Sequence, residues 1–278
     1  MAGIPIERVG LIGLGKMGGP MARHIAHAGY TTTGYDIDPE RVAAAAREGA
    51  RAAQSAAEVA RASDLVLIAV GFDAEAEETI FSDDGLLAGA GDGMIIGIAS
   101  TIAPSTMQRI IDRATGRAVR FIDCPLMRGE QAAVDGKMLT MVGGDAALFE
   151  ACRPVMETYA DSIFHLGATG AGQVGKMVNN LILWACMSAN REGMMLAKGL
   201  GVEPEVLREA LLASSAQNWV METRADEHPT PWAEKDMMIV LHEADLLRIS
   251  LPLCGVVKEV IKQLKIERGY ATPRVSQP

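Results

Sequence analysis

Apolar residues fall in two textures along this chain, with the change near residue 165. Before it they come as short runs. Val9-Gly10-Leu11-Ile12, the β-branched Thr31 to Tyr35, the continuous Asp64 to Val70, Met94 to Ile98 and Val119 to Ile122 each read as one strand. Runs without alternation predict strands of a parallel sheet covered on both faces. Between them lie helical stretches. The first reaches Ala28, where Gly29 supplies the usual C-terminal stop, a second runs from Pro39 to Glu48, and a third from Pro104 to Ala114. Strands separated by crossover helices predict a doubly wound α/β sheet.

Beyond Gly167-Ala168-Thr169-Gly170-Ala171-Gly172 a 3.6-residue apolar period takes over, to about Arg268. Gln173 to Lys198 holds no proline and is apolar nearly all round, which predicts one long buried helix. Helices are also expected from Pro204, around Trp219, from Trp232 to Leu247 and from Pro252 to Ile266, with a frayed tail from Thr272 to Pro278. The expected organisation is a Rossmann-type sheet domain over residues 1–165 followed by an all-α domain over residues 166–278.

Composition narrows the function. Hydrophobic residues make up 49% and charged residues 22%, which is ordinary for a soluble globular chain. The net charge of −9 with no basic stripe argues against nucleic-acid and anionic-membrane partners, and leaves room for a small anionic substrate held by a local Arg or Lys. Cys124, Cys152, Cys186 and Cys254 show no paired spacing and read as buried thiols of a reducing compartment. With no signal-like N-terminus and no membrane-length run, a cytoplasmic protein is expected. His24 and His27 share a helix face but have no evident partner for a metal, so none is expected.

Chemistry concentrates in a few places. Gly13-Leu14-Gly15-Lys16-Met17-Gly18 follows a strand and opens a helix, the context that the dinucleotide fingerprint requires. Gly13 permits the tight turn, Gly15 lets the backbone approach a pyrophosphate, and Gly18 allows close helix packing. Asp36 ends the second strand, where a carboxylate binds ribose hydroxyls and repels a ribose phosphate. NAD is therefore expected, NADP less so, with Arg41 near enough to soften the preference. Asp36 and Asp38 could instead cap the helix that begins near Pro39. Val70, at the end of its strand, is a further cofactor-lining candidate. Lys176 and Asn180 lie one turn apart near the start of the long apolar helix, with Asn179 beside them. Burial draws a lysine pKa down from about 10.4 toward working pH, which suits proton transfer. A lysine snorkelling to the surface, with the amides bridging helices, is the plainer alternative.

These motifs resemble, in order, those of the β-hydroxyacid dehydrogenases, a family that includes 3-hydroxyisobutyrate, tartronate semialdehyde and 6-phosphogluconate enzymes. Gly13 through Gly29 resembles its extended fingerprint, and Ser100-Thr101 its pair near nicotinamide and substrate. Gly170 through Asn180 resembles its catalytic segment, and Lys235-Asp236 its late pair, whose lysine approaches the cofactor. The resemblance reaches to about residue 255. It implies hydride transfer between nicotinamide and a small β-hydroxy acid or the matching semialdehyde or keto acid. Lys176 would be the general acid/base and Asn180 would orient the oxygen. The cofactor residues would be Gly13, Leu14, Gly15, Lys16, Met17, Gly18, Asp36, Val70, Thr101 and Lys235. Apolar helices in the second domain also suit a homodimer or homotetramer.

The chain departs from the family at Asp123-Cys124-Pro125-Leu126-Met127-Arg128-Gly129. The family's loop reads Asp-Ala-Pro-Val-Ser-Gly-Gly and cradles a carboxylate. Here Met127 and Arg128 replace the serine and the first glycine. Ser100, Met127, Arg128, Gly129, Lys176 and Asn180 are the expected substrate contacts. Arg128 offers a fork for carboxylate, sulfonate or phosphate, as in a sulfolactaldehyde-reducing branch of the family, or else a surface ion pair, with Glu130 at hand. The alternatives are an imine reductase, against which Lys176 counts, and a dinucleotide-binding sensor without turnover.

Overall fold

The computed structural model describes residues 6–224 and 230–271, so the expected frayed tail lies outside the described residues. The chain divides into two compact units between Lys176 and Met177. The first opens with β1 (Arg8–Ile12), α1 (Gly18–His27), β2 (Thr31–Tyr35), α2 (Pro39–Arg47), β3 (Arg51–Ala52), α3 (Ala56–Arg61) and β4 (Leu65–Ile68). It continues through α4 (Asp73–Phe81), α5 (Leu86–Gly89), β5 (Ile95–Ile98), α6 (Pro104–Arg113) and β6 (Arg120–Asp123). These six strands are parallel in the order β3-β2-β1-β4-β5-β6. That order reverses between β1 and β4, and the reversal opens a crevice at the strands' carboxyl ends where dinucleotides bind in Rossmann sheets.

Alternation along the strands builds a core on each side. Val9 and Leu11 of β1, Leu65 and Leu67 of β4 and Ile95 of β5 belong to one cluster. Ile12, Val66, Ile68, Ile96 and Ile98 belong to the other. Gly97 takes the place of a side chain on the first face, because a Cβ there would stand 2.6 Å from Leu67 Cδ2. Helix ends follow local chemistry. Asp38 accepts from the Glu40 N–H at 2.9 Å to cap α2, with Pro39 in its first turn. Gly29, at φ +96°, stops α1 as its position predicts.

Past β6 the sheet turns back on itself, which the sequence reading does not anticipate. β7 (Leu126–Met127), α7 (Gly129–Val134), β8 (Met138–Gly143), α8 (Ala146–Met156) and β9 (Ala160–Gly167) complete a nine-stranded sheet. β8 runs antiparallel to β6 and β7 and parallel to β9.

α9 (Ala171–Gly199) begins in the first unit and continues as the first element of the second, which adds α10 (Pro204–Leu212), α11 (Trp219–Thr223), α12 (Ala233–Leu247) and α13 (Pro252–Glu267). Trp184, Ala233, Met237, Val240, Cys254, Val257 and Ile261 form the core of the second unit. Lys265 and Glu234 make an ion pair at 3.4 Å with side chains 5% and 10% exposed. The long helix is not buried all round, contrary to expectation. Val174, Val178 and Ile182, one turn apart along one face, are exposed, Ile182 at 58%, because no described element of this chain covers that face. No described helix is long and apolar enough to cross a membrane.

Two non-glycine residues among those described are left-handed, Arg248 at φ +57°, which ends α12, and Arg128. Arg128, just before α7, has φ +80°, a left-handed conformation that glycine adopts readily and other residues rarely. Its guanidinium holds the position. Nη1 donates to Asp161 Oδ1 at 2.5 Å and to the Lys137 carbonyl at 3.0 Å, and Nη2 donates to Ser162 Oγ at 3.0 Å. Arg128→Ala keeps the strain and loses these bonds, whereas Arg128→Gly loses the bonds and relieves the strain. The alanine variant is therefore expected to be less stable than the glycine variant by about 1 kcal/mol. Urea unfolding midpoints check the order, and equal midpoints would remove the strain from the account.

Candidate active site

The turn between β1 and α1 lies at the sheet's switch point. Gly13, at φ +87°, donates its N–H to the Tyr35 carbonyl at 3.0 Å, and a Cβ there would strike the Ala69 carbonyl. A Cβ on Gly18 would strike the Gly13 carbonyl, so α1 starts as close to β1 as backbones allow. Gly15 faces open space, and the nearest atom to a Cβ built there is Arg41 Nη1, 3.5 Å away. Met17 supplies no side-chain cap and the first turn holds no acid. The helix start thus has no side-chain acceptor of its own, an arrangement that suits an anion such as a pyrophosphate. Lys16 stands 77% exposed in this turn, 3.0 Å from Glu130 of α7. α7 is also tied to α1 at its other end, where Arg23 Nη2 donates to the Val134 carbonyl at 2.6 Å and His24 Nε2 lies 3.1 Å from the same oxygen.

Asp36 is buried at the end of β2. Its Oδ2 accepts from the Leu14 N–H at 2.7 Å and Oδ1 from the Asp38 N–H at 2.9 Å. The carboxylate therefore shapes the glycine turn. Arg41 bridges Asp36 at 3.5 Å and Asp38 at 3.2 Å. Both of its acids are thereby partly neutralised from one side.

Further along the crevice, Val70 stands beside Gly13 and donates its N–H to Ser100 Oγ at 2.8 Å. That hydroxyl donates to the Ile68 carbonyl at 3.2 Å, so buried Ser100 joins the ends of β4 and β5 and retains only acceptor capacity. Thr101 follows it at the half-buried mouth of β5. Gln173, which the sequence places at the start of the long helix and within the segment from Gly170 to Asn180 without a role of its own, grips this same loop. Its amide donates to the Ser100 carbonyl at 2.8 Å and accepts from the Ile102 N–H at 3.2 Å.

The loop after β6 meets the start of α9. Lys176, half-buried, donates from Nζ to the Leu126 carbonyl at 2.7 Å. Met127 is buried in β7, opposite Leu139. The expected anion fork of Arg128 is directed at Asp161, Lys137 and Ser162, and the ion-pair partner is Asp161 rather than Glu130. Asp123 is wholly buried and is missing from the sequence-derived site. Burial pushes its carboxyl up to about 6, against the opposing pull of N–H donors from Gly170 and Gln173. The aspartate that opens the family's loop stands at this position and was the available signal, but its role comes from backbone partners that a motif does not name.

The remaining candidates lie in the second unit. Asn180 is buried, and its Oδ1 accepts from Asn179 Nδ2 at 3.0 Å. Lys235 sits in the first turn of α12 between two anchored neighbours, Glu234 paired with Lys265 and Asp236 accepting from Trp184 Nε1 at 2.9 Å. Among the described residues, no group of three or more His, Cys, Asp or Glu side chains gathers to hold a metal ion.

Known proteins bear the same features. Residues 8–167 match the family described as the NAD binding domain of 6-phosphogluconate dehydrogenase, and residues 170–273 match the one described as NAD-binding of NADP-dependent 3-hydroxyisobutyrate dehydrogenase. The chain is 37% identical to an NAD-dependent L-serine dehydrogenase of Pseudomonas aeruginosa over 78% of its own length and 73% of the relative's. It is 32% identical to a 2-(hydroxymethyl)glutarate dehydrogenase of Eubacterium barkeri, over 92% and 88%. The structure of a Mycobacterium tuberculosis 3-hydroxyisobutyrate dehydrogenase with L-serine superposes with a TM-score of 0.86 at 25% identity, over 95% of each chain. The sheet order, the glycine turn and these matches place the chain in the β-hydroxyacid dehydrogenase family, as an NAD(P)-dependent oxidoreductase acting on CH–OH groups.

Proposed function

We propose that the enzyme interconverts a β-hydroxy acid and its semialdehyde or keto acid with NAD, using Lys176 as general acid/base. The observation that carries this reading is the placement of the Lys176 ammonium at the loop after β6, 2.7 Å from the Leu126 carbonyl, on the helix whose next turn bears Asn180. When bound, the nicotinamide supplies the hydride acceptor or donor. Lys176 takes the hydroxyl proton as the carbinol C–H bond breaks, or returns it in the reverse direction, and Asn180 orients the oxygen.

The substrate class follows from chemistry shared by the relatives. L-Serine, 3-hydroxyisobutyrate and 2-(hydroxymethyl)glutarate each carry a primary alcohol on the carbon next to the one bearing a carboxylate. A carboxylate held at residues 127–129 would leave that alcohol at Lys176. Since the Arg128 guanidinium is engaged by Asp161, the donors proposed for the anion there are backbone N–H groups, that of Gly129 among them. Asp36 favours NAD, and Arg41 moderates the preference. The apolar faces exposed on α9, α10 and α13 are proposed as the contacts of a homodimer or homotetramer.

NADH formation from a panel of β-hydroxy acids, with sulfonate analogues alongside, tests the reading. Lys176→Ala is expected to lower kcat by about 10²–10⁴-fold while leaving NADH affinity nearly unchanged. Equal turnover by wild type and variant would overturn the acid/base role. Asp36→Ala is expected to lower the preference for NAD over NADP in kcat/KM by about tenfold, the worth of one charge-assisted hydrogen bond. An unchanged preference would show that Asp36 serves only the glycine turn. Light scattering on the eluting protein at micromolar concentration is expected to give a mass of at least two chains, and a monomer would refute the assembly.

A further inference from the structure

We propose that Asp123 is a positioning residue of this enzyme, its carboxylate setting the first turn of α9 and thereby the place at which Lys176 meets the Leu126 carbonyl. The inference rests on the reading of Lys176 given above.

Asp123 ends β6, and its two oxygens reach the start of α9. Oδ1 accepts from the Gly170 N–H at 2.5 Å and Oδ2 from the Gln173 N–H at 2.8 Å. These are among the N–H groups that a helix cannot satisfy from within its own first turn. The surroundings are cut to an aspartate. A Cβ on Gly143 would lie 2.5 Å from Oδ1, and one on Gly172 would lie 2.7 Å from Oδ2. Neither glycine has φ in the left-handed region; a Cβ would also meet the Ala168 carbonyl and Ala171 nitrogen at 2.7 Å from Gly143 and the Met141 carbonyl at 2.5 Å from Gly172, so glycine at both makes room for the carboxylate together with the backbone packed around it.

A neutral cap such as serine or asparagine would satisfy a helix start without burying a charge. A buried carboxylate adds a second acceptor oxygen rigidly joined to the first, which fixes the helix start in direction as well as in position. The lysine's own acceptor belongs to the same short segment. Asp123 and Leu126 lie three residues apart, and Thr140 Oγ1 pins the stretch between them by donating to the Pro125 carbonyl at 3.1 Å. Cap, helix turn, lysine and carbonyl therefore form a closed ring, with Gln173 fastening the same turn to Ser100 and Ile102. Moving the cap moves the ammonium relative to its acceptor.

The test uses the full chain with Asp123→Asn, Lys176→Ala and the double variant. In the wild-type background Asp123→Asn, whose NH2 sets a donor against one of the two N–H groups, is expected to lower the melting temperature by a few degrees and keep NADH affinity while kcat falls by about 10²-fold at little change in KM, the weight of a misplaced catalytic group. In the Lys176→Ala background the same substitution is expected to cost nothing further, because the two residues act as a unit. Wild-type kcat in Asp123→Asn, or an equal loss in both backgrounds, would overturn the proposal. Asp123→Glu is expected not to restore activity, since the two glycines leave no space for another methylene, and restoration would count against the cradle. If the wild type turns over no member of the panel, the reaction assigned to Lys176 fails, and the role of Asp123 is then decided by a crystal structure of Asp123→Asn. An unchanged separation between Nζ and the Leu126 oxygen rejects it, and a displaced lysine supports it. Should Asp123→Asn not fold, Asp123→Ser, a neutral cap, carries the same expectations.

Discussion

No methyl group fits between Gly18 and the carbonyl of Gly13, and much of the first unit is organised around that contact. It brings the start of α1 against the end of β1 and sets the helix's open N–H groups at the point where the strand order reverses. Asp36 then holds Leu14 from the neighbouring strand, so the carboxylate proposed to meet the ribose also braces the turn proposed to meet the phosphates. Val70 and Ser100 extend the same logic along the crevice, with one strand end hydrogen-bonded to the next. The cofactor half is thus a set of short backbone approaches locked by a few buried polar groups.

Where the sequence was legible, backbone geometry and side-chain type said the same thing. The apolar runs of β1, β4 and β5 have no polar partner to satisfy and no other place to go, so their pattern suffices. β8 and β9 escape the pattern for different reasons: β8, Met-Leu-Thr-Met-Val-Gly, is an inner strand paired with β6, β7 and β9 whose short run lies between polar turns, whereas β9 is a sheet edge. β9, Ala-Asp-Ser-Ile-Phe-His-Leu-Gly, is mostly exposed or half-exposed and reads as a polar connection. The doubly wound sheet could be read from crossover helices, but the antiparallel return through β7 and β8 depends on pairings between distant segments. The long helix was found, and its burial was overstated, because apolarity all round shows what a helix could bury and not what this chain has to cover it.

The candidate site divides along the same line. Residues recognised by type, such as the glycines, Asp36 and Lys176, could be named from sequence. Residues recognised by partner could not. Asp123 and Gln173 stand inside quoted motifs, but their roles come from the backbone groups they engage, and Arg128 finds Asp161 two helices and a strand later. The same physics explains the difference in kind between the two halves of the site. A phosphate cradle is built from the absence of side chains, which a sequence displays directly. A substrate loop is built from long-range ties, which appear only after folding.

Arg128 has a genetic as well as a structural setting. Every arginine codon lies one base from a glycine codon, so the left-handed arginine at this loop is a single substitution from the residue that its backbone accepts without strain. The two residues differ in what they need. Arginine is held by Asp161 and Ser162, whereas glycine needs no partner. The side chains of β9 therefore carry part of the cost of this arginine, and a change at Asp161 would shift the balance at the loop toward glycine.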